Sequence, residues 1–518
     1  METLTRRLFL SGVALMPAGA VLAACSDGGG RTETPSDSSS GGAIEATTAS
    51  ASTSSGPVVL ESVWKGAALT TRVGPAVVQG GYTVVKLSMS TDSAERIPVN
   101  TMLGAGVDMF TMAAARLISL RDKVAYIDVQ SRVDGLASPL DGGSSRELFA
   151  VFGGLPDGTE SVEMFLPNVG VALGVPVVDA ASAGFDVTAA IADAKIDEDI
   201  HSGPFELNSL VVAADRSSDT EKDDVSTTVN VSGDVLFATD SAELSGKADE
   251  MLGLVVEQLE LYSSGGELAI TGHTDDVADD AYNQGLSERR AKAVSDRLGE
   301  LTALSGWETT VSGKGESEPR VANDSDENRQ LNRRVEIVLT PTDPSEASPT
   351  TPDAGSAGGS GDMPEPKGPV GRGPDGVEIE IDGVLARISL DSVTRYEGYL
   401  IGTVKISSDQ EVRVPLFLLQ IPDDLLFDRM WSSYAATGCT LLKGKSRYLV
   451  VDFTDSNEEH RVLGGLLHDN LTANDVRSVP VVWPDTGEDT VTMDMIGEDD
   501  TFGQHLAVRL TDIPVSEV

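Results

Sequence analysis

Three polar stretches cut this chain into pieces that must each find a core of their own. Residues 26–57 are Ser, Thr, Gly and Ala with scattered charge, residues 342–375 are rich in Pro, Gly, Ser and Asp, and a shorter polar run spans Asp215 to Ser226. Such compositions bury too little apolar surface to offset chain entropy and read as tethers. At 518 residues the chain also exceeds what one hydrophobic core can hold. The reading is a multidomain protein with folded units at 58–214, 229–341 and 376–518. A short linker is expected at 215–228, with a longer one at 342–375.

The first and last units look like copies of each other. GYTVVKLSMSTDSAERIPV from Gly81 aligns without gaps to GYLIGTVKISSDQEVRVPL from Gly398, and SVEMFLPNVG from Ser161 aligns to SVPVVWPDTG from Ser478. Both matches share one displacement (398 − 81 and 478 − 161 are each 317), as a duplication would leave. Val85, Leu87 and Met89 alternate with Val84, Lys86, Ser88 and Ser90, and Val377, Ile379 and Ile381 repeat that period of two. Short alternating runs between Gly, Pro, Asp and Asn predict two related antiparallel β-sandwich domains.

The middle unit changes period. Gly233–Phe237 reads as a strand. Ala248, Leu252, Val255 and Leu259 then fall at helical spacing, as do Ala291, Val294, Leu298 and Leu301 in a helix expected from about Ser287. Strands are expected at Glu267–Ile270 and Arg334–Leu339. This βαβαβ order predicts a compact α/β sandwich between the two β units.

The N-terminus addresses the chain to the envelope. Thr5-Arg6-Arg7-Leu8-Phe9-Leu10 resembles a twin-arginine (Tat) export motif, and Leu22-Ala23-Ala24-Cys25 resembles a lipobox. Residues 1–24 are thus expected to be a lipoprotein signal peptide, with Cys25 acylated (palmitate) and 25–57 a tether from it. The lipid would sit in an outer membrane facing the periplasm, or on the outer face of a plasma membrane. With Cys25 acylated, the second cysteine, Cys439, has no partner and is expected to be buried. A formal charge of −44 argues against nucleic acid as a partner, since the phosphate backbone would be repelled.

In the middle unit DVLFATDSAEL, TGHTD, YNQGLSERRAKAV, GKGESEP and NRRVEIVL occur in that order. These resemble the OmpA-like peptidoglycan-binding domain of outer-membrane proteins, peptidoglycan-associated lipoproteins and flagellar stator proteins. The resemblance implies a ligand, the free end of diaminopimelate in the stem peptide. It also implies residues: Asp275 for the ammonium, Arg290 for the carboxylate, and Asn283 with Arg333 or Arg334 lining the groove. A zwitterion needs one anion and one cation a few ångströms apart, and carboxylate–ammonium and guanidinium–carboxylate are strong directional pairs. Ala278 stands where the family usually has glycine, which would strain the loop if that position needed positive φ.

The expected function is a non-catalytic lipoprotein linking membrane to wall, without cofactor or metal, whose sandwiches face envelope proteins. Two other classes compete with this reading. A wall-targeted enzyme would need a nucleophile or metal motif; His201, His273, His460, His468 and His505 show no metal-ligand spacing, and Cys439 is the one unpaired thiol. His273 reads as structural. Calcium sites at Glu498-Asp499-Asp500 or Asp275–Asp280 lack EF-hand spacing.

Overall fold

The computed structural model describes residues 56–104, 110–346, 362–414, 419, 436–464, 471–497, 499–500, 503–504 and 506–518. The export motif, Cys25, nearly all of 26–57 and residues 347–361 of the second long polar stretch lie outside the described residues. No described helix is long and apolar enough to cross a membrane.

Val58–Trp64 (β1), Ala67–Gln79 (β2), Tyr82–Ser90 (β3) and Ser145–Gly153 (β4) form an antiparallel sheet in that order. Val85, Leu87 and Met89 enter one core, as their alternation predicts. The opposite face is not the polar one expected. Val84 is buried there with Val77, Val151 and Val187, under a short helix at Val187–Asp193. Ser161–Leu166 (β5) belongs to a second sheet, beside Arg116–Ser119 and Gly170–Pro176.

Phe205–Ala213 (β6) ties the molecule together. Its start pairs with the first unit (Phe205 opposite Ala125), and its middle and end pair with the last (Leu207 opposite Phe453, Val211 opposite Tyr448). It also pairs with Ser218–Lys222 (β7), which hands the ladder on toward the middle unit. The expected linker at 215–228 is therefore a buried strand. Its polarity hides the strand because the buried Asp219 is satisfied from outside: Arg320 grips it through two hydrogen bonds, of 2.6 and 2.9 Å.

The two outer units also share a core. Phe165, Leu173, Phe205 and Leu207 pack in one cluster with Tyr399, Ile401, Val451 and Phe453, and the Arg477 guanidinium lies 3.7 Å from the centre of the Trp64 ring. They are not the separate bodies that the sequence suggested. Period-two patterning shows that a strand has an apolar face, not which face will cover it.

Glu163 lies near this junction, 3 % exposed. Leu120 N–H donates to its Oε2 at 2.9 Å, and burial pushes its pKa up to about 7. A folded-state pKa raised above the unfolded one adds stability that is fully present at low pH and lost as pH climbs from about 4.5 to above 7. In urea unfolding Glu163→Gln is expected to be more stable than wild type at pH 8, by about 3 kcal/mol, and to match it near pH 4.5. A pH-independent gap would contradict this.

The middle unit runs Thr227–Ser232 (β8), Gly233–Leu236 (α1), Ala248–Glu260 (α2), Gly266–His273 (β9), Asp280–Leu301 (α3), Trp307–Gly315 (β10), Asp326–Asn332 (α4) and Arg334–Pro341 (β11). The sheet order is β8-β11-β9-β10, antiparallel except for β9 against β10. Ala248, Leu252, Val255, Leu259, Ala291, Val294 and Leu298 fill the core beneath it. Three expectations change. Gly233–Leu236 is a helical turn rather than a strand, which drops Leu236 and Phe237 into the core. Helix α3 starts at Asp280, two turns before Ser287, where the Asp279 carboxylate accepts the Ala281 N–H. Leu301 ends that helix 37 % exposed.

Val377–Ile381 (β12), Val384–Ser389 (β13), Val393–Tyr396 (β14), Tyr399–Ser408 (β15) and Asp475–Pro484 (β16) reproduce the first sheet. β12 matches β1, and β13 with β14 match the two halves of β2 at the same displacement (384 − 67 and 393 − 76 are each 317). β15 matches β3 and β16 matches β4. Thus Tyr82 pairs with Gly153 where Tyr399 pairs with Pro484. The second sequence match does not survive. Ser161 opens β5 in another sheet, whereas Ser478 lies in β16 beside β15.

Candidate functional site

Helix α3 sits on β9 and β10 at backbone distance. A Cβ added at Gly272 would come within 2.3 Å of the Ser287 carbonyl oxygen, and one at Gly313 within 2.4 Å of Glu288 N. Only glycine allows this approach. It lets the Ser287 hydroxyl accept the Gly315 N–H at 2.9 Å, fixing the helix that carries Asn283 and Arg290 against the loop that carries Asp275.

Asp275 follows β9 directly. Its Oδ2 takes the Arg333 Nη1 at 2.7 Å and its Oδ1 takes the Val277 N–H at 3.3 Å. Arg333, at the C-terminal cap of α4, also grips Asp234 through both Nε and Nη2, at 2.9 and 2.7 Å. Asn283 braces the same loop. Its amide donates to the Asp275 carbonyl at 3.1 Å and to Glu316 Oε2 at 2.6 Å.

Arg290 is 5 % exposed, in the middle of α3 rather than in its first turn. Its Nε donates to the Ser241 carbonyl at 2.9 Å, and the guanidinium lies 5.1 Å from the centre of the Phe237 ring. Burial is the largest influence on its pKa and lowers it, opposed by the field of Asp234 and Asp240. No carboxylate among the described residues forms an ion pair with it. A buried, oriented guanidinium without an anion is a receptor for one.

The structure therefore brings Asp275, Arg333 and Asn283 into direct contact, and Asp234 links Arg333 to Arg290 through its field. Arg334 parts from this group. As the first residue of β11 it lines a cavity with Asp219 and Asn230, so of the two arginines it is Arg333 that lies beside Asp275. Sequence reasoning missed Asp234, Ser241 and Glu316. All three lie inside quoted motifs, but their roles depend on contacts across some 30 to 100 residues. Ala278 is not among the positive-φ residues, so the loop has no strain there for glycine to relieve.

Among the described residues no group of three or more His, Cys, Asp or Glu side chains is placed to hold a metal ion. Asp276 pairs with Arg329 at 3.1 Å and Asp279 caps α3, so the acidic run is engaged rather than open. The side chains of 498–500 lie outside the described residues. Cys439 is fully buried, and burial pushes its thiol up to about 12. The His460 Nδ1 sits 3.0 Å from Asp452, not beside a thiol, and His468 and His505 fall outside the described residues. His273 is buried and neutral, since burial pushes its pKa down to about 4.

Residues 236–333 match the OmpA family. Outer membrane porin F of Pseudomonas aeruginosa is 38% identical over 112 residues, which cover 22% of this chain and 32% of that one. YfiB of Escherichia coli (strain K12) is 31% identical over 113 residues, covering 22% of this chain and 69% of that one. The cell wall anchor of the T6SS from Pseudomonas aeruginosa shares 33% identity over 24% of this chain and 90% of its own, with a TM-score of 0.23. This chain thus spans about a third of the length of porin F. Through the module built around Asp275 and Arg290, the chain belongs to the OmpA family.

Proposed function

We propose that this protein binds peptidoglycan non-catalytically and joins it to a membrane through a lipid on Cys25. The observation that carries the reading is Arg290, a buried guanidinium held by Ser241 and Phe237 with no carboxylate paired to it among the described residues. It lies on the same helix as Asn283, whose amide holds the Asp275 loop. The arrangement suits a diaminopimelate end, its carboxylate on Arg290 and its ammonium on Asp275. Arg333 and Asn283 position Asp275 and leave it lone pairs to share. Each contact is worth about 1–3 kcal/mol as a charge-assisted hydrogen bond, so single-site affinity is modest and the density of stem peptides in the wall raises it. The outer sheets, read as related β-sandwiches, face other envelope proteins.

Asp276, Asp279 and Asp280 make the rim acidic. The favoured stem peptide is therefore one that keeps the diaminopimelate zwitterion but has lost another carboxylate to amidation. Calorimetric titration of the full chain with both fragments tests this. Tighter binding of the amidated fragment is expected; equal affinities sink the preference, and no binding of either sinks the site.

A further inference from the structure

We propose that the cavity between β7, α4 and the start of β11 binds a small oxoanion that carries one hydrogen of its own, of the hydrogenphosphate type, with Arg334 as the principal cation. Arg334 is 8 % exposed. Its Nη2 reaches Glu336 at 3.3 Å, but its Nε and Nη1 are buried with no hydrogen-bond partner. Leaving charged donors unmet in the interior is costly, so they ask for an acceptor that the described residues do not supply. Arg320 lines the same cavity, but Asp219 holds its guanidinium through two hydrogen bonds. Arg334 is thus the cation there whose buried donors still lack an acceptor.

Two further groups choose among anions. Asn230 and Ser232 line the cavity, and the Asn230 Oδ1 and Ser232 Oγ are buried and also without partners among the described residues. Asn230 donates its Nδ2 to Asp219 at 3.0 Å, which fixes its Oδ1 as an acceptor. The cavity therefore presents guanidinium N–H groups, a hydroxyl and one acceptor needing a donor. Hydrogenphosphate meets all of them at once; sulfate at neutral pH has no hydrogen for Asn230. The cavity volume of about 50 Å³ has room for a single small anion. This site is separate from the Asp275 groove.

The test is calorimetric titration of the full chain with inorganic phosphate and with sulfate, ionic strength being held with sodium chloride. One saturable phosphate site is expected, at least tenfold tighter than sulfate. Arg334→Gln is expected to weaken phosphate tenfold or more and Arg334→Lys less, while Asn230→Ala removes the preference over sulfate. The proposal is overturned if wild type binds neither anion saturably, if the two anions bind wild type equally, or if Arg334→Gln binds phosphate like wild type. The comparison of the two anions needs no variant, so misfolding of Arg334→Gln would not shield the proposal.

Discussion

Residues 58–214 expressed alone are expected to stay largely unfolded, although their composition reads as a domain. Ile118, Phe165, Val171, Leu173, Phe205 and Leu207 belong to a cluster completed by Tyr399, Ile401, Val451, Phe453, Leu463 and Val482. A large apolar side chain returned to water costs about 1.5–3 kcal/mol. Six of them, about 9–18 kcal/mol together, match or exceed the roughly 5–15 kcal/mol by which a whole domain is stable. Strand β6 would also lose its ladders to 446–448 and 452–454, leaving unpaired backbone groups along a hydrophobic edge. Residues 376–518 alone should fare no better. Urea unfolding of each piece, followed by circular dichroism, is expected to show no cooperative transition, and co-expression of 58–214 with 215–518 should restore one. A cooperative transition in isolated 58–214 at the midpoint of the full chain would show that the shared core is dispensable.

The same residues mark how far the sequence could be read. The middle unit was legible because Ala248, Leu252, Val255 and Leu259 repeat at helical spacing, and such a stripe has one place to go. Strand β10 escaped notice. It is an edge strand whose residues from Glu308 to Ser312 are mostly exposed, so no apolar alternation announces it. Strand β7 was taken for a linker because its buried Asp219 is satisfied by Arg320, a residue 101 positions away, and such long-range pairing leaves no local pattern. The repeat was half legible: its first match follows a conserved meander, and its second pairs strands with different neighbours. Within the site, Asp275, Asn283 and Arg290 came from motif order. That Arg333 and not Arg334 lies beside Asp275 needed the structure, because Arg333 caps α4 while Arg334 opens β11, and their side chains reach different partners.

The second large effect concerns the groove. Replacing Arg290 removes the only buried cation in it without a carboxylate among the described residues. Replacing Asp275 removes the anion and also frees Arg333 to turn wholly to Asp234. Two contacts of about 1–3 kcal/mol each make up most of a modest affinity, so losing either should reduce binding by one to two orders of magnitude. Arg290 is buried and also braces Ser241, so Arg290→Lys and Asp275→Asn, which keep most of the volume, serve as controls for folding.

Co-sedimentation of the full chain with purified diaminopimelate-type sacculi tests the central claim most directly. Wild type is expected in the pellet. Asp275→Ala, Asp275→Asn, Arg290→Ala and Arg290→Lys are expected in the supernatant, while the Asn and Lys variants unfold within a few degrees of wild type. Undiminished pelleting of all four would contradict the assignment of the groove.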